Sequence, residues 1–393
     1  MNDATLGKAG RVASLDIVRG AVMVLMAIDH VRVYSGLPPG GPTPGIFFTR
    51  WITHFCAPAF VFLAGTSAYL HGQKLGSRVS LSRFLLGRGV WLIFLELTVI
   101  RLGWTFNLDF AHYLLAGVIW VIGWSMIVLA GLVWLPLAAI GIVGGVIVAG
   151  HNLLDPLVGG LWEGLDSNPF AWFWSLFYLG GEVRLGAAGP PLVVLYVFVP
   201  WVGVMALGYA FGAVMQFSAE RRRRTSLALG LGSILTFLLL RGFNLYGDPR
   251  PWSGEAMPAA LSFLNTTKYP ASLLFLLMTL GPVIALLPLL EHAQGWLARM
   301  FTVFGRVPLF YYLLHIPLIH LAAIVVSMTR HGAVDPWLFA NHPMRVPETP
   351  EGYAWGLGLL YLVTLIVVAV LYPLCRWFGE VKRRSGAGWL SYL

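Results

Sequence analysis

The stretch Arg11–Gly36, RVASLDIVRGAVMVLMAIDHVRVYSG, decides how the rest of the chain is read. From Ala21 to Ile28 it is apolar enough to face lipid. Asp16 and Arg19 stand before that run, and Asp29, His30 and Arg32 follow it. A charge at the centre of a bilayer costs roughly 3 kcal/mol or more, so such groups face a bundle interior or a wet cavity. The stretch therefore predicts a spanning helix with an interior face that carries chemistry.

The whole composition agrees. Of 393 residues, 58% are hydrophobic and 11% charged, against about 25% charged in soluble domains. This predicts an integral membrane protein. The net charge of +9 sits in short basic clusters between apolar runs, the pattern of cytoplasmic loops, and is no sign of nucleic-acid binding. The first apolar run continues into a full span, so no cleavable signal peptide is expected. Cys56 and Cys375 fall in separate spans, which predicts neither a disulfide nor a thiol metal site.

A span needs about 20 mostly apolar residues. Ten are expected, near 14–34, 51–72, 88–106, 111–131, 134–150, 191–215, 225–243, 269–290, 301–328 and 354–378. Lys8 and Arg11 precede the first. Lys74, Arg78, Arg83 and Arg88 follow the second, Arg221 to Arg224 follow the sixth, Arg299 precedes the ninth, and Lys382 to Arg384 follow the tenth. All fall on one side if both termini are cytoplasmic. On that side the connection at Leu132 and Val133 lacks basic residues. The expected fold is an all-α polytopic membrane bundle, one domain over 1–393, without a fixed-period repeat. Its long outer connections, such as GLPPGGPTPG, are loops by turn chemistry.

Helical spacing puts Asp16, Arg19, Met23, Met26 and His30 on one stripe, with Asp29 a step off it. Asp16 and His30 are about 21 Å apart along the axis at 1.5 Å per residue. Asp16 and Arg19 read equally as interfacial anchors or as ligand contacts, and His30 as a buried hydrogen-bonded ring or a reactive one. Arg50 and His54 share a face at the depth of His30. A histidine there can cap a helix or act as a general base, because its pKa lies near operating pH. Gly65, Thr66 and Ser67 read as close helix packing. His315 lies deep in the ninth span with Tyr311 one turn before it, between Pro308 and Pro317. A helix–helix hydrogen bond explains it as well as catalysis does. Glu96 is an intramembrane acid with Arg88, Arg101 and His30 as conceivable partners, and NTTKYPAS places Lys268 and Tyr269 at the outer mouth of the eighth span. No metal-ligand spacing, phosphate loop or serine nucleophile motif occurs.

Five segments taken together carry a resemblance: SLDIVRGAVMVLMAIDHVR, FFTRWITHFCAPAFVFLAGTSAYL, VIWVIGWSMIVLA, FLNTTKYPASLLFLLMTLGP and GRVPLFYYLLHIPLIH. They resemble bacterial members of the heparan-alpha-glucosaminide N-acetyltransferase catalytic-domain family, within the transmembrane acyltransferases. The resemblance implies a bundle of about ten helices in a bacterial cytoplasmic membrane. It passes an acyl group, acetyl first, from cytoplasmic acyl-CoA to an amine or hydroxyl of a sugar or glycan-type acceptor outside. His30 and His315 match functional histidines of related enzymes. The lysosomal branch has Asn at the position of His30 and a histidine in the next loop, whereas GLPPGGPTPGIFFTR here has none. His54 stands where that branch has an acid, which argues for a different acceptor.

The expected mechanism is direct acyl transfer without a metal, with an acyl-histidine route left open. Arg19, Arg83 and Arg88, with Asp16, would hold the CoA. His30 or His54 would be the base, with Asp29 or another neighbour orienting the ring, and His315 or Tyr311 would donate to the oxyanion. Arg50, Lys268 and Tyr269 would meet the acceptor. Membrane lipids are the expected surroundings, and a homodimer is compatible with the sequence. The contrasting reading is a proton-coupled transporter or flippase using the same groups as relays, although no inverted repeat of hydropathy is present. A third is a structural or accessory subunit whose polar groups only hold helices together.

Overall fold

The computed structural model describes residues 13–38, 43–111, 113–162, 170–184, 186, 189–255, 257–343 and 348–385. Lys8, Arg11 and the middle of the GLPPGGPTPG loop lie outside these.

The apolar runs become helices whose ends follow local chemistry. α1 spans Ala13–Tyr34, α2 Pro44–Trp51 and α3 Cys56–Leu75. A 3₁₀ turn at Ile52–Phe55 joins the last two into one apolar span, Pro44–Leu75. Gly76, at φ +63°, ends α3 in the left-handed conformation, and Ser77 caps α4 (Arg78–Leu95) by accepting the Ser80 amide. A π-helical turn at Glu96–Ile100 leads into α5 (Arg101–Thr105). α6 (Val118–Leu132) and α7 (Leu137–Gly150) follow, then α8 (Asp155–Trp162), the single turn α9 (Ala171–Trp174) and α10 (Phe198–Phe211). α11 (Ala219–Gly242), α12 (Ala259–Leu264), α13 (Leu273–Leu286), α14 (Trp296–Arg306), α15 (Pro308–His331) and α16 (Leu357–Arg384) complete the chain.

Among the described residues, seven helices are long and apolar enough to cross a membrane, and α6 is a shorter apolar one. α1 and α4 pack within the same bundle, α1 against α3, α14, α15 and α16, and α4 against α6. The protein is thus an all-α polytopic membrane bundle. α7, α11 and α16 turn Ile142, Val146, Leu231, Leu235, Leu365 and Ile366 outward, as lipid-facing surfaces require.

Helices meet through reciprocal glycines, which allow close backbone approach where burying apolar surface gives little drive. A Cβ on Gly20 would overlap the Phe301 carbonyl, and one on Gly305 would overlap that of Asp16, locking α14 onto α1. Gly65 with Gly208, and Gly89 with Gly123, do the same for α3–α10 and α4–α6.

Three expected spans change. The span expected at 301–328 is two helices. Val307 (φ −131°, ψ 52°) breaks the run, because a residue before proline is pushed out of helical geometry. The expected starts at 111 and 191 instead hold strands β1 (Leu114–Ala116) and β3 (Pro191–Val194). With β2 (Gly181–Arg184) they form a small sheet of order β1-β3-β2. Leu114 pairs in parallel with Leu192, and Gly181 antiparallel with Val194. The sheet sits at the end opposite the basic clusters, here called the loop end, and delivers Gly117 and Tyr196 to the cavity described next.

Candidate active site

The buried stripe of α1 survives folding. Met23 and Met26 are enclosed, and His30 continues the stripe at the loop end. There His30 Nδ1 lies 2.7 Å from His315 Nε2 on α15, with the rings stacked 4.8 Å apart. His315 Nδ1 is 2.7 Å from the Tyr312 carbonyl and 3.2 Å from that of Tyr311. A carbonyl only accepts, so His315 Nδ1 carries its proton and Nε2 its lone pair. His30 Nδ1–H must then donate, which leaves the lone pair of the neutral His30 ring on Nε2. That atom has no hydrogen-bond partner among the described residues, and His30 lines an open cavity of about 330 Å³. Trp104 sets the ring edge-on at 4.8 Å.

Asp29, Glu96, Tyr196, Lys268, Tyr269 and Tyr312 share this cavity with His30. Asp29 does not orient His30. Its carboxylate accepts Arg32 Nε at 3.0 Å and faces Lys268 Nζ at 3.9 Å. Glu96 does not pair with an arginine or with His30 either. Its Oε2 accepts the Trp120 amide at 3.1 Å, at the free N-terminus of α6.

Lys268 and Tyr269 are held by the turn before α13. The buried Asp248 carboxylate organises that turn: it accepts the Thr267 amide at 2.7 Å, the Thr267 hydroxyl at 2.8 Å and the Ser272 hydroxyl at 2.8 Å. Ser272 in turn caps α13 at the Phe275 amide. The turn forms a wall between the first cavity and a larger one of about 720 Å³. Arg50, Lys268 and Tyr269 line both. His54 lines the larger one, and neither of its ring nitrogens has a hydrogen-bond partner among the described residues.

The opposite, basic end is different. Arg19 Nη2 donates to Ser67 Oγ at 2.8 Å, and Nη1 to the Gly305 carbonyl at 3.1 Å, with Asp16 at 3.4 Å. These bonds tie α1, α3 and α14 together. Arg83 is exposed on α4 and Arg88 half-buried. Tyr311 lies behind His315, its ring 5.3 Å away and its hydroxyl fully buried, and it lines neither cavity. His315 has no donor left for an oxyanion, so neither of the two donors expected from sequence is aimed at the cavity.

The structure thus gathers His30, Asp29, Arg50, Lys268 and Tyr269 around one space, with His315 behind and His54 next door. Sequence reasoning missed Tyr312, Trp104 and Tyr196. Tyr312 was findable, because it lies three residues before His315 on the same face. Trp104 and Tyr196 come from a helix end and a strand exit, which carry no periodic signal. Among the described residues no group of three or more metal-ligating side chains occurs.

A membrane bundle with a histidine pair opening on a polar cavity defines a polytopic membrane protein with an ionisable site built into its helices. Residues 11–243 match the family described as heparan-alpha-glucosaminide N-acetyltransferase, catalytic, and the chain belongs to that family. No curated protein matches the chain. Membership makes this an acetyltransferase-type, multi-pass membrane enzyme, and the family's donor is acetyl-CoA. The matched segment ends just after α11. Lys268, Tyr269, Tyr312 and His315 come from the part of the chain that follows it.

Proposed function

We propose that the protein transfers an acetyl group from cytoplasmic acetyl-CoA to an amine or hydroxyl of a sugar-type acceptor arriving at the loop end, with His30 as general base. The observation that carries this is the directed proton arrangement: the Tyr312 carbonyl fixes His315, His315 fixes His30, and His30 Nε2 is left as an acceptor facing the cavity. A general base must sit within hydrogen-bond reach of the proton it removes, and such positioning contributes about 10²- to 10⁴-fold in rate.

The basic clusters share one end, which supports cytoplasmic termini and donor arrival there. Arg83 and Arg88 are the proposed contacts of the CoA nucleotide. The thioester would meet the acceptor beside His30. His30 Nε2 takes the acceptor's proton as its nitrogen or oxygen attacks the carbonyl carbon. Lys268 and Tyr312, which face the same cavity, would donate to the oxyanion. Collapse breaks the C–S bond, and the proton on His30 passes to the departing thiolate. Asp29 is assigned to hold Arg32 and Lys268 in place rather than to orient the base.

Purified protein in nanodiscs with radiolabelled acetyl-CoA and a panel of amino sugars tests this. The expected result is acceptor-dependent release of CoA with label on the sugar. Absence of acetyl-CoA binding, together with solute uptake into proteoliposomes lacking CoA, would replace the enzyme by a transporter.

A further inference from the structure

The larger loop-end cavity is not needed to house the reacting atoms, yet it is built like a ligand site. Its volume of about 720 Å³ lies within the roughly 300–1,000 Å³ usual for small-molecule sites. Part of its lining carries hydrogen-bonding groups, from Asn265, Thr266, Thr267 and Asp155, beside apolar Val158, Leu179 and Met257. Two further features point to the ligand.

The first is His54, only 5% exposed, with neither ring nitrogen hydrogen-bonded among the described residues. A buried polar group without a partner costs about 1–3 kcal/mol, so an imidazole on a cavity wall calls for a ligand group. A neutral imidazole offers one donor and one acceptor, which is what a hydroxyl complements. The second is positive charge. Among the described lining residues, Arg50, Arg250 and Lys268 stand against the carboxylate of Asp155, with Lys268 also facing Asp29 at 3.9 Å. Asp155 is already engaged by Asn152 at 2.8 Å and by the Tyr178 hydroxyl at 2.5 Å. The Arg50 guanidinium makes no hydrogen bond or ion pair with another described residue, although the backbone carbonyl accepts from Thr53. Guanidinium groups recognise carboxylate and phosphate through a planar fork of donors.

We infer that this cavity binds a hydroxylated anion, a sugar bearing a carboxylate or phosphate, with the anion on Arg50 and a hydroxyl on His54. The assignment rests on the reading that acceptors arrive at the loop end, and it gives them a charge. Through Arg50, Lys268 and Tyr269, shared with the His30 cavity, the bound sugar would border the site of transfer.

Binding is measured without any acyl donor, by thermal shift and tryptophan fluorescence, with glucuronate, glucose 6-phosphate and glucose as probes. A parallel set in phosphatidylglycerol nanodiscs tests whether a lipid headgroup occupies the same place. The expected result is that both anions bind about tenfold or more tighter than glucose and lose that preference in Arg50→Gln, because a charge-assisted contact is removed. His54→Phe weakens all three sugars alike. Competition by phosphatidylglycerol but not by the soluble sugars assigns the anion to lipid and overturns the sugar. Equal binding of glucose and glucuronate, or unchanged preference in folded Arg50→Gln, overturns the inference outright. Since the Arg50 guanidinium and the His54 ring nitrogens have no hydrogen-bond partner among the described residues, these substitutions leave no described group orphaned. Anion binding without acetyl transfer would reject the proposed function and keep the site. Transfer to neutral sugars alone would do the reverse.

Discussion

The two ends of α1 use similar residues for opposite purposes. At the basic end Asp16 and Arg19 are spent on packing: Arg19 joins Ser67 of α3 to the Gly305 carbonyl of α14, and Gly305 lies against the backbone of Asp16. At the loop end Asp29 and His30 are half-buried and border open space. The difference lies in what faces them. Glycine lets α14 approach α1 until no room remains, whereas the bulky rings of Trp104, Tyr312 and Tyr196 and the turn at Lys268 hold the other end apart. Ionisable residues in a membrane helix are therefore not functional by type. They become so where packing leaves an atom unsatisfied and accessible.

The largest effect is expected at Gly305. A Gly305→Val side chain would overlap the Asp16 carbonyl, so the account expects loss of monodisperse, folded protein by size exclusion. Recovery at wild-type yield and Tm would mean the close approach is not structural. At the loop end, His315→Phe removes the acceptor that fixes the His30 ring. kcat should fall about 10- to 100-fold with the KM for acetyl-CoA unchanged, since His315 positions the base and does not touch substrate. A rise in KM at constant kcat would move His315 to binding.

Smaller effects sharpen the contrast. Arg83→Ala should raise the KM for acetyl-CoA by no more than about fivefold, the scale of one exposed ionic contact, and leave Tm in place. Arg19→Met should do the opposite, lowering stability by about 1–3 kcal/mol for lost buried hydrogen bonds and moving that KM by less than about twofold. A large KM effect at constant Tm would return Arg19 to the donor site.

Much of this was legible in the sequence. Apolar runs of spanning length and basic clusters located the bundle, and helical spacing put Asp16, Arg19 and His30 on the buried face of α1. The break at Val307 was readable from Pro308 in principle, but the run across it is apolar and reads as continuous. The three short strands carry no distinctive pattern, since apolar residues entering a sheet look like the start of a span. The His30–His315 bond joins residues 285 apart, and no local periodicity reports such a pair; only the resemblance placed both histidines at a site. Asp248 lay in a stretch of turn residues and drew no notice, because its role depends on Thr267 and Ser272 folding back onto it.

The central claim is that His30 Nε2 is the base. Acetyl transfer by His30→Gln, at saturating acetyl-CoA and acceptor, tests it directly. A fall of about 10²- to 10⁴-fold is expected, with Tm and donor binding unchanged. Turnover within about fivefold of wild type, in protein shown to be folded, would contradict it.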